Sequence, residues 1–275
     1  MKFGISTFLT DESIGPADIA KALQERQFDS LFLAEHTHIP VGWLPEGSAF
    51  ELPRHYHRTL DPFVALAAAA TATDQLLLGT GIALVVQRDP ITTAKAVATL
   101  DHVSGGRVIL GVGAGWLEAE MRNHGTDPRT RGALMDERIE AMIALWTQEQ
   151  AEYHGKFVDF DPVYSWPKPI QQPHPPIYVG GVSKRAHIRV SKYAQAWMPN
   201  EVPPDQLGEQ IDRMRQVTGN RTPVTVFGAP HDPESLEKLS QLDIDRVLLM
   251  LDTQSRDDAL RSLDALRSAT EKFNS

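Results

Sequence analysis

The sequence of 275 residues contains no cysteine. Disulfide bonds, thiolate metal ligands and a cysteine nucleophile are therefore all excluded. The chain also lacks a long apolar run, because the longest, at 62–72, is rich in alanine and too short to cross a bilayer. The first sixteen residues do not contain the continuous apolar core of a secretory signal. Since a cysteine-free chain suits a reducing compartment, we expect a cytoplasmic protein that does not contact a membrane.

Positive charge is also scarce. The chain has 27 Lys and Arg against 36 Asp and Glu, which gives a formal net charge of −9. The basic residues form no run or stripe, so binding to nucleic acid is not expected. Hydrophobic residues make up 41% of the chain, which is enough for a sizeable core. We therefore expect a globular protein that acts on a small molecule.

Short apolar segments alternate with segments of helical periodicity along the whole chain. Strands are predicted at 2–8, 28–36, 75–86, 107–115, 176–181, 196–199, 222–228 and 245–251. Helices are predicted at 16–26, 62–73, 92–103, 131–147, 183–194, 205–216 and 233–240, with a last helix that carries Leu260, Leu263 and Leu266. Eight strand–helix units predict a parallel sheet closed into a (β/α)8 TIM barrel, with residues 1–275 as a single domain. A doubly wound open sheet is the alternative fold.

Two segments, 37–60 and 148–175, exceed ordinary connection lengths. The first follows the carboxyl end of a predicted strand, which is the face where (β/α)8 barrels carry their active sites. We therefore expect 37–60 to be a substrate-binding loop; the alternative is a surface excursion without a function.

Glu35 and His36 end the second predicted strand, at that same face. Histidine exchanges protons near neutral pH and also holds a positive charge there. His36 is therefore a candidate catalytic residue, although a single histidine at a strand end is equally compatible with a structural role.

Two histidine pairs, His36-x-His38 and His55-x-His57, raise the alternative of a metal-dependent barrel hydrolase. Such a site needs further histidine or aspartate ligands from later strands. The fifth and sixth predicted strands end without a histidine. We therefore predict that the chain binds no metal.

Two glycine-rich turns follow predicted strands. The first, GVGAGW at 111–116, has glycine at every second position instead of the spacing of a dinucleotide fingerprint. In the second, GGVSKRA at 180–186, Ser183 can cap the next helix while Lys184 and Arg185 add positive charge. Exposed backbone N–H groups in such turns can hold a phosphate or allow a cofactor to approach closely. The alternative is that the turns serve only the fold.

Several stretches occur together in the order typical of a known family. They are FDSLFLAEH (28–36), DPFVALAAAATATDQLLLGTGI (61–82), RDPITTAKAVATLDHVSGGRVILGVGAGWLEAE (88–120), KPIQQPHPPIYVGGVSKRA (168–186) and AWMP (196–199). With these stretches the chain resembles the luciferase-like flavin and deazaflavin oxidoreductases, in particular their F420-dependent branch. The resemblance implies a (β/α)8 barrel that binds coenzyme F420 at the carboxyl ends of its strands, usually as a homodimer.

The resemblance also implies which residues form the site. Glu35 and His36 match the acidic residue and the histidine beside the deazaflavin ring. Gly81–Ile82 matches a non-prolyl cis peptide bond that backs the ring, and the glycine-rich turns match backbone around the cofactor and its phosphate-bearing arm. The cofactor-binding residues implied in this way are Glu35, His36, Gly81, Ile82, Gly113, Ala114, Gly115, Gly180, Gly181, Val182 and Ser183.

One departure from the family pattern concerns the substrate. F420-dependent glucose-6-phosphate dehydrogenases have a glutamate after the first glycine turn, where this chain has Trp116. Their sugar-phosphate lysine and arginine positions are not matched in the last third of the chain either. Sugar-phosphate dehydrogenation is therefore disfavoured.

The predicted function is hydride transfer between F420 and a small organic substrate, with the protein supplying position and electrostatics. His36 would donate or accept the proton or stabilise the reduced ring, and Glu35 would orient His36 or contact the ring. An FMN-dependent monooxygenase that uses O2 is the main alternative because it shares the fold. A metal-dependent hydrolase and a cofactor-binding protein without turnover are further alternatives.

Overall fold

The structure is a computed structural model that describes residues 1–44, 51–200 and 202–273. Its strands are β1 (Lys2–Thr7), β2 (Ser30–Leu33), β3 (Leu77–Thr80), β4 (Val108–Val112), β5 (Ala151–His154), β6 (Asp159–Val163), β7 (Ile177–Gly180), β8 (Ala196–Met198), β9 (Thr225–Ala229) and β10 (Arg246–Met250). Its helices are α1 (Pro16–Glu25), α2 (Pro62–Ala72), α3 (Pro90–Ser104), α4 (Glu118–Asn123), α5 (Arg131–Thr147), α6 (Lys184–Tyr193), α7 (Pro204–Thr218), α8 (Pro233–Ser240) and α9 (Arg256–Thr270).

Eight of these strands form a parallel barrel. They lie in the order β8-β7-β4-β3-β2-β1-β10-β9. Parallel bridges from Trp197 to Val224 and from Asn200 to Phe227 join the two ends of this sheet. The predicted (β/α)8 barrel is confirmed, and the open doubly wound alternative is wrong.

The sequence of the barrel strands explains their position. Helices cover the outside and side chains fill the inside, so parallel strands are buried on both faces and consist of nearly continuous apolar residues. Every residue of β2, for example, is buried. Five of the helices begin with proline, which suits a first helical turn because its N–H groups have no partner within the helix.

Three local features differ from the predicted elements. The strand predicted at 75–86 ends at Thr80, because the Gly81–Ile82 peptide bond is cis and a 3-10 helix follows at Val85–Gln87. The short helix α4 was not predicted. Neither was the antiparallel hairpin β5–β6, which occupies part of the long segment 148–175. The carboxylate of Glu137 on α5 holds this hairpin by accepting backbone N–H bonds from residues 156–158.

Arg107, in the SGGR sequence, lies just before β4, at the amino end of that strand. Its guanidinium donates to the carbonyl oxygens of Ala70 and Thr73 at the end of α2, and to that of Leu76 before β3, at 2.8–2.9 Å. It also donates to the carbonyl of Ser104 at 2.6 Å. The last carbonyl groups of a helix have no partner within the helix and need other donors. Arg107 supplies such donors and so links the ends of α2 and α3 to the segments that precede β3 and β4.

None of the helices in the described part of the chain combines the length and apolar character that a membrane span requires.

Candidate functional site

A cavity of about 1030 Å³ opens at the carboxyl ends of the barrel strands. Ten of the eleven residues predicted to bind a cofactor line it: Glu35, His36, Gly81, Ile82, Gly113, Ala114, Gly115, Gly180, Gly181 and Ser183. The eleventh, Val182, does not line the cavity, since its side chain is turned to the outside and is exposed. The volume is at the upper limit for a single small-molecule site.

The wall between the first glycine turn and the second is built around Ile82. The predicted cis peptide bond Gly81–Ile82 is present. A Cβ atom at Gly113 would lie 1.9 Å from Cδ1 of Ile82, and a Cβ at Gly180 would lie 3.3 Å from its Cγ2. Gly113 is therefore required by the close approach of Ile82, whatever else the turn binds.

Glu35 is buried and bonded to groups other than His36. Its carboxylate accepts the backbone N–H of Leu84 at 2.6 Å and the Nε–H of Arg88 at 2.5 Å. Arg88 also donates to Asp61. Burial raises the pKa of the Glu35 carboxyl, and the charge of Arg88 opposes this shift. The carboxylate of Glu35 bonds Leu84 and Arg88 and not His36, so the structure does not show the expected role of orienting His36.

The carboxylate that orients His36 belongs to Glu120 on α4. Oε2 of Glu120 lies 2.8 Å from Nδ1 of His36, and the side chain of Glu120 is fully buried. Burial alone would raise the pKa of Glu120, but hydrogen bonds from His36 and Thr37 lower it to about 2. Since a carboxylate only accepts, Nδ1 of His36 carries a proton, and Nε2 is the ring nitrogen left to act on a ligand.

The second oxygen of Glu120 is held by Thr37. Oε1 accepts the backbone N–H of Thr37 at 2.7 Å and its hydroxyl at 3.0 Å. That hydroxyl also lies 2.9 Å from Nδ1 of His38 and 2.7 Å from Nε2 of His124. His38, Glu120 and His124 have the spacing of a metal-ligand set, but each of these atoms already has a hydrogen-bond partner at Thr37. The effect of this cluster in the structure is to fix Glu120.

Aromatic rings surround His36 at one end of the cavity. Phe8, Tyr56 and Trp116 line this end together with Leu52. The ring centroids of Tyr56 and Trp116 lie 5.2 and 5.8 Å from that of His36. Trp116 is 49% exposed although it is a large apolar ring. We call this set of four residues the aromatic end.

Four arginines line the cavity in the region of α5 and α6, and we call this region the cationic end: Arg129, Arg131, Arg185 and Arg189. Arg189 pairs with Asp136 at 2.7 Å and Arg129 with Asp127 at 2.8 Å. Arg185 is exposed, and within the described residues it has no carboxylate partner.

The amino end of α6 adds to the positive potential there. The side chain of Ser183 accepts the N–H of Ala186 and caps the helix, as predicted. Gly181 has a φ of +95°, in the region that favours glycine. A helix amino end next to arginines is a site suited to an anion.

Sequence analysis missed Glu120, Thr37, Arg88 and the arginines of 129–131. Glu120 is 84 positions from His36, so only the fold brings these two side chains together. The signal that was available for Glu120 was its position in the LEAE sequence after the glycine turn, next to Trp116.

Comparisons with known proteins agree with this architecture. The luciferase-like monooxygenase family model matches residues 14–231. An uncharacterized protein of Mycobacterium tuberculosis is 38% identical over 275 residues, with 97% of each chain covered. The FMNH2-dependent dimethylsulfone monooxygenase of Pseudomonas putida is 34% identical over 131 residues, which are 46% of this chain and 36% of that enzyme.

Two solved structures share the fold. Monooxygenase RslO1 of Streptomyces bottropensis superimposes with a TM-score of 0.79 at 20% identity, over the full length of both chains. An F420-dependent secondary alcohol dehydrogenase superimposes with a TM-score of 0.76 at 17% identity, covering 98% of this chain and 100% of that one. With a family match over most of its length, this chain belongs to the luciferase-like monooxygenase family.

Proposed function

We propose that the chain binds coenzyme F420 in this cavity and transfers a hydride between the cofactor and a small organic substrate. The observation that carries the proposal is the cationic end: Arg185, which has no carboxylate partner within the described residues, lines the cavity beside three further arginines and the amino end of α6. FMN ends in one phosphate, whereas the arm of F420 continues beyond its phosphate into a chain of glutamates. Several cations in a row suit the longer and more anionic arm.

His36 and Glu120 supply the proton chemistry in this proposal. F420 would provide the hydride acceptor or donor at C5 of the deazaflavin ring. With Nδ1 protonated and bonded to Glu120, His36 presents Nε2 to the cavity, where it takes the proton of a substrate hydroxyl or returns one to a carbonyl. The imidazolium that forms is stabilised by the buried carboxylate of Glu120, as expected for a histidine–carboxylate pair.

Glu35 and Arg88 have a supporting part. Arg88 pairs with Glu35, and the Glu35 carboxylate accepts the backbone N–H of Leu84, two residues after Ile82. These bonds stabilise the backbone that positions Ile82 in the cavity wall. The proposed contact of Glu35 with the ring stays a proposal.

A titration of the cofactor-free chain with F420 and with FMN tests the cofactor. We expect F420 to bind at least tenfold more tightly, because its arm meets more positive charge at the cationic end. The measurement is fluorescence of the deazaflavin and of the flavin at matched ionic strength. Equal or tighter binding of FMN contradicts the proposal.

An FMN-dependent monooxygenase is the second candidate, because the named relatives include monooxygenases that act with FMNH2 or share the fold. Turnover under air and in the absence of oxygen separates the two functions. F420-dependent hydride transfer proceeds without oxygen, whereas monooxygenation stops.

Arg185→Glu tests the cationic end with a matched control. Arg185 lines the cavity, while its neighbour Lys184 is exposed but does not line it. Both substitutions replace a cation with an anion in the first turn of α6, so their effects on the helix are alike. We expect Arg185→Glu to weaken F420 binding about 10- to 100-fold, as expected for the loss of a charged hydrogen bond.

Lys184→Glu should change the F420 dissociation constant less than threefold, with the same melting temperature as Arg185→Glu. Equal losses in the two variants would point to general electrostatics instead of a contact. A substitution at Gly181 itself would not test this turn, because any side chain there is strained at its positive φ.

A further inference from the structure

The two ends of the cavity differ in chemistry, and the cationic end is assigned to the cofactor in the proposed function. The substrate must then lie at the aromatic end, where Nε2 of His36 faces it. We infer that the substrate is an uncharged organic molecule with an apolar body and one hydroxyl or carbonyl group. This inference rests on the proposed function.

The first argument is the surface of the aromatic end. Phe8, Leu52, Tyr56 and Trp116 contribute large, mainly apolar side chains beside the imidazole of His36. The half-exposed ring of Trp116 packs at its edge against Trp43, at a centroid distance of 5.4 Å, and against His36. Water contacts this ring at an energetic cost, which an apolar ligand would remove.

The second argument is that the cations near this end are already paired. Arg54 and Arg58 are the only lysine or arginine residues in 37–60. Arg54 pairs with Glu12, and Arg58 with Asp11. An anionic substrate group, such as a phosphate or a carboxylate, would lose its hydration here without a free cation to replace it.

The two buried carboxylates next to His36 are bound as well, which disfavours a cationic substrate at the imidazole itself. Glu35 is paired with Arg88, and Glu120 with His36. A ligand cation would meet aromatic faces but also the positive charge that His36 acquires when it takes a proton. A neutral hydroxyl or carbonyl group that hydrogen-bonds to Nε2 of His36 therefore suits this end better than a charged group.

Three probes of similar shape test this inference. They are cyclohexyl methyl ketone, cyclohexanecarboxylate and the cyclohexyltrimethylammonium ion, which are neutral, anionic and cationic. Calorimetric titration of the F420-loaded full chain gives the three dissociation constants. We expect the ketone to bind at least tenfold more tightly than either ion.

The substitution Trp116→Lys should reverse this preference. It places a cation at a half-exposed position of the aromatic end, so the ratio of ketone to carboxylate affinity should fall at least tenfold. Tyr164→Lys is the control, because Tyr164 is an exposed aromatic residue that does not line the cavity. It should leave the ratio unchanged.

The outcomes separate this inference from the proposed function. Carboxylate or ammonium binding as tight as that of the ketone overturns the inference, and so does an unchanged ratio in a folded Trp116→Lys variant. F420 binding with no detectable binding of the ketone also overturns it, and leaves the proposed function standing. Failure of F420 to bind overturns the proposed function, and the same three probes titrated into the cofactor-free chain then decide the preference of the aromatic end.

Discussion

Replacing His36 with alanine is expected to slow the hydride-transfer step about 10²- to 10⁴-fold, the usual contribution of a general acid or base. The fold and most of the F420 affinity should remain, because Leu31, Phe32 and Leu33 anchor β2 in the core. The measurement is the single-turnover change in absorbance of the bound deazaflavin, with a substrate that the wild-type protein converts. Equal rates in wild type and variant would remove His36 from the mechanism.

Two further variants distinguish chemistry from packing. His36→Ala leaves the buried carboxylate of Glu120 without one of its donors, so part of its effect is structural. His36→Asn keeps an N–H donor for Glu120 but has no ring nitrogen to exchange a proton; it should be as slow as His36→Ala yet more stable.

His55→Ala is the control. It removes a ring that stacks on Tyr56 but does not line the cavity, and it should leave the rate within about threefold of wild type.

Glu120→Gln is the second variant for which we expect a large effect. The amide of glutamine can donate to Nδ1 of His36 and thereby favour the tautomer that is protonated at Nε2. That tautomer cannot accept a proton from a substrate, so we expect a loss of about 10²- to 10⁴-fold in the single-turnover rate. The 15N chemical shifts of the His36 ring in the cofactor-free chain report the tautomer directly, and an unchanged tautomer would contradict this role of Glu120.

The same variant should change how stability depends on pH. The pKa of Glu120 is lowered from 4.5 to about 2 in the folded chain. Its contribution is therefore fully present above about pH 4.5 and is lost as the pH falls through about 2, an effect on the order of 3 kcal/mol. Denaturant unfolding at pH 7 and pH 3 should show a large difference between wild type and Glu120→Gln that narrows in acid.

The fold could be predicted because its signals are local. Apolar strands alternate with helical segments eight times, and proline at five helix starts marks several of the boundaries. The cis bond at Gly81–Ile82 was implied by the resemblance to the family and is present. The elements that escaped prediction are short or weakly apolar: α4 has six residues, and β6 contains a proline and is largely exposed.

The site was predicted in part for the same reason. His36 and the glycine turns belong to strand ends and could be located from the sequence. The partner of His36 could not, because Glu35 is the nearer carboxylate in the chain while Glu120 is the nearer one in space. Register and side-chain direction decide such pairs, and both depend on the closed barrel.

Arg107 and Gln171 lie in the two most recognisable stretches of the sequence, SGGR and KPIQQP, and neither lines the cavity. Arg107 joins carbonyls of two helix ends, as described above, and Gln171 bonds the buried Asp101 through its backbone and its amide. Arg107 and Gln171 therefore stabilise the packing of helices against strands, away from the cavity. A change of cofactor or substrate contacts at the strand ends would leave the bonds of Arg107 and Gln171 in place, so these two residues report on how the barrel is assembled and not on the reaction.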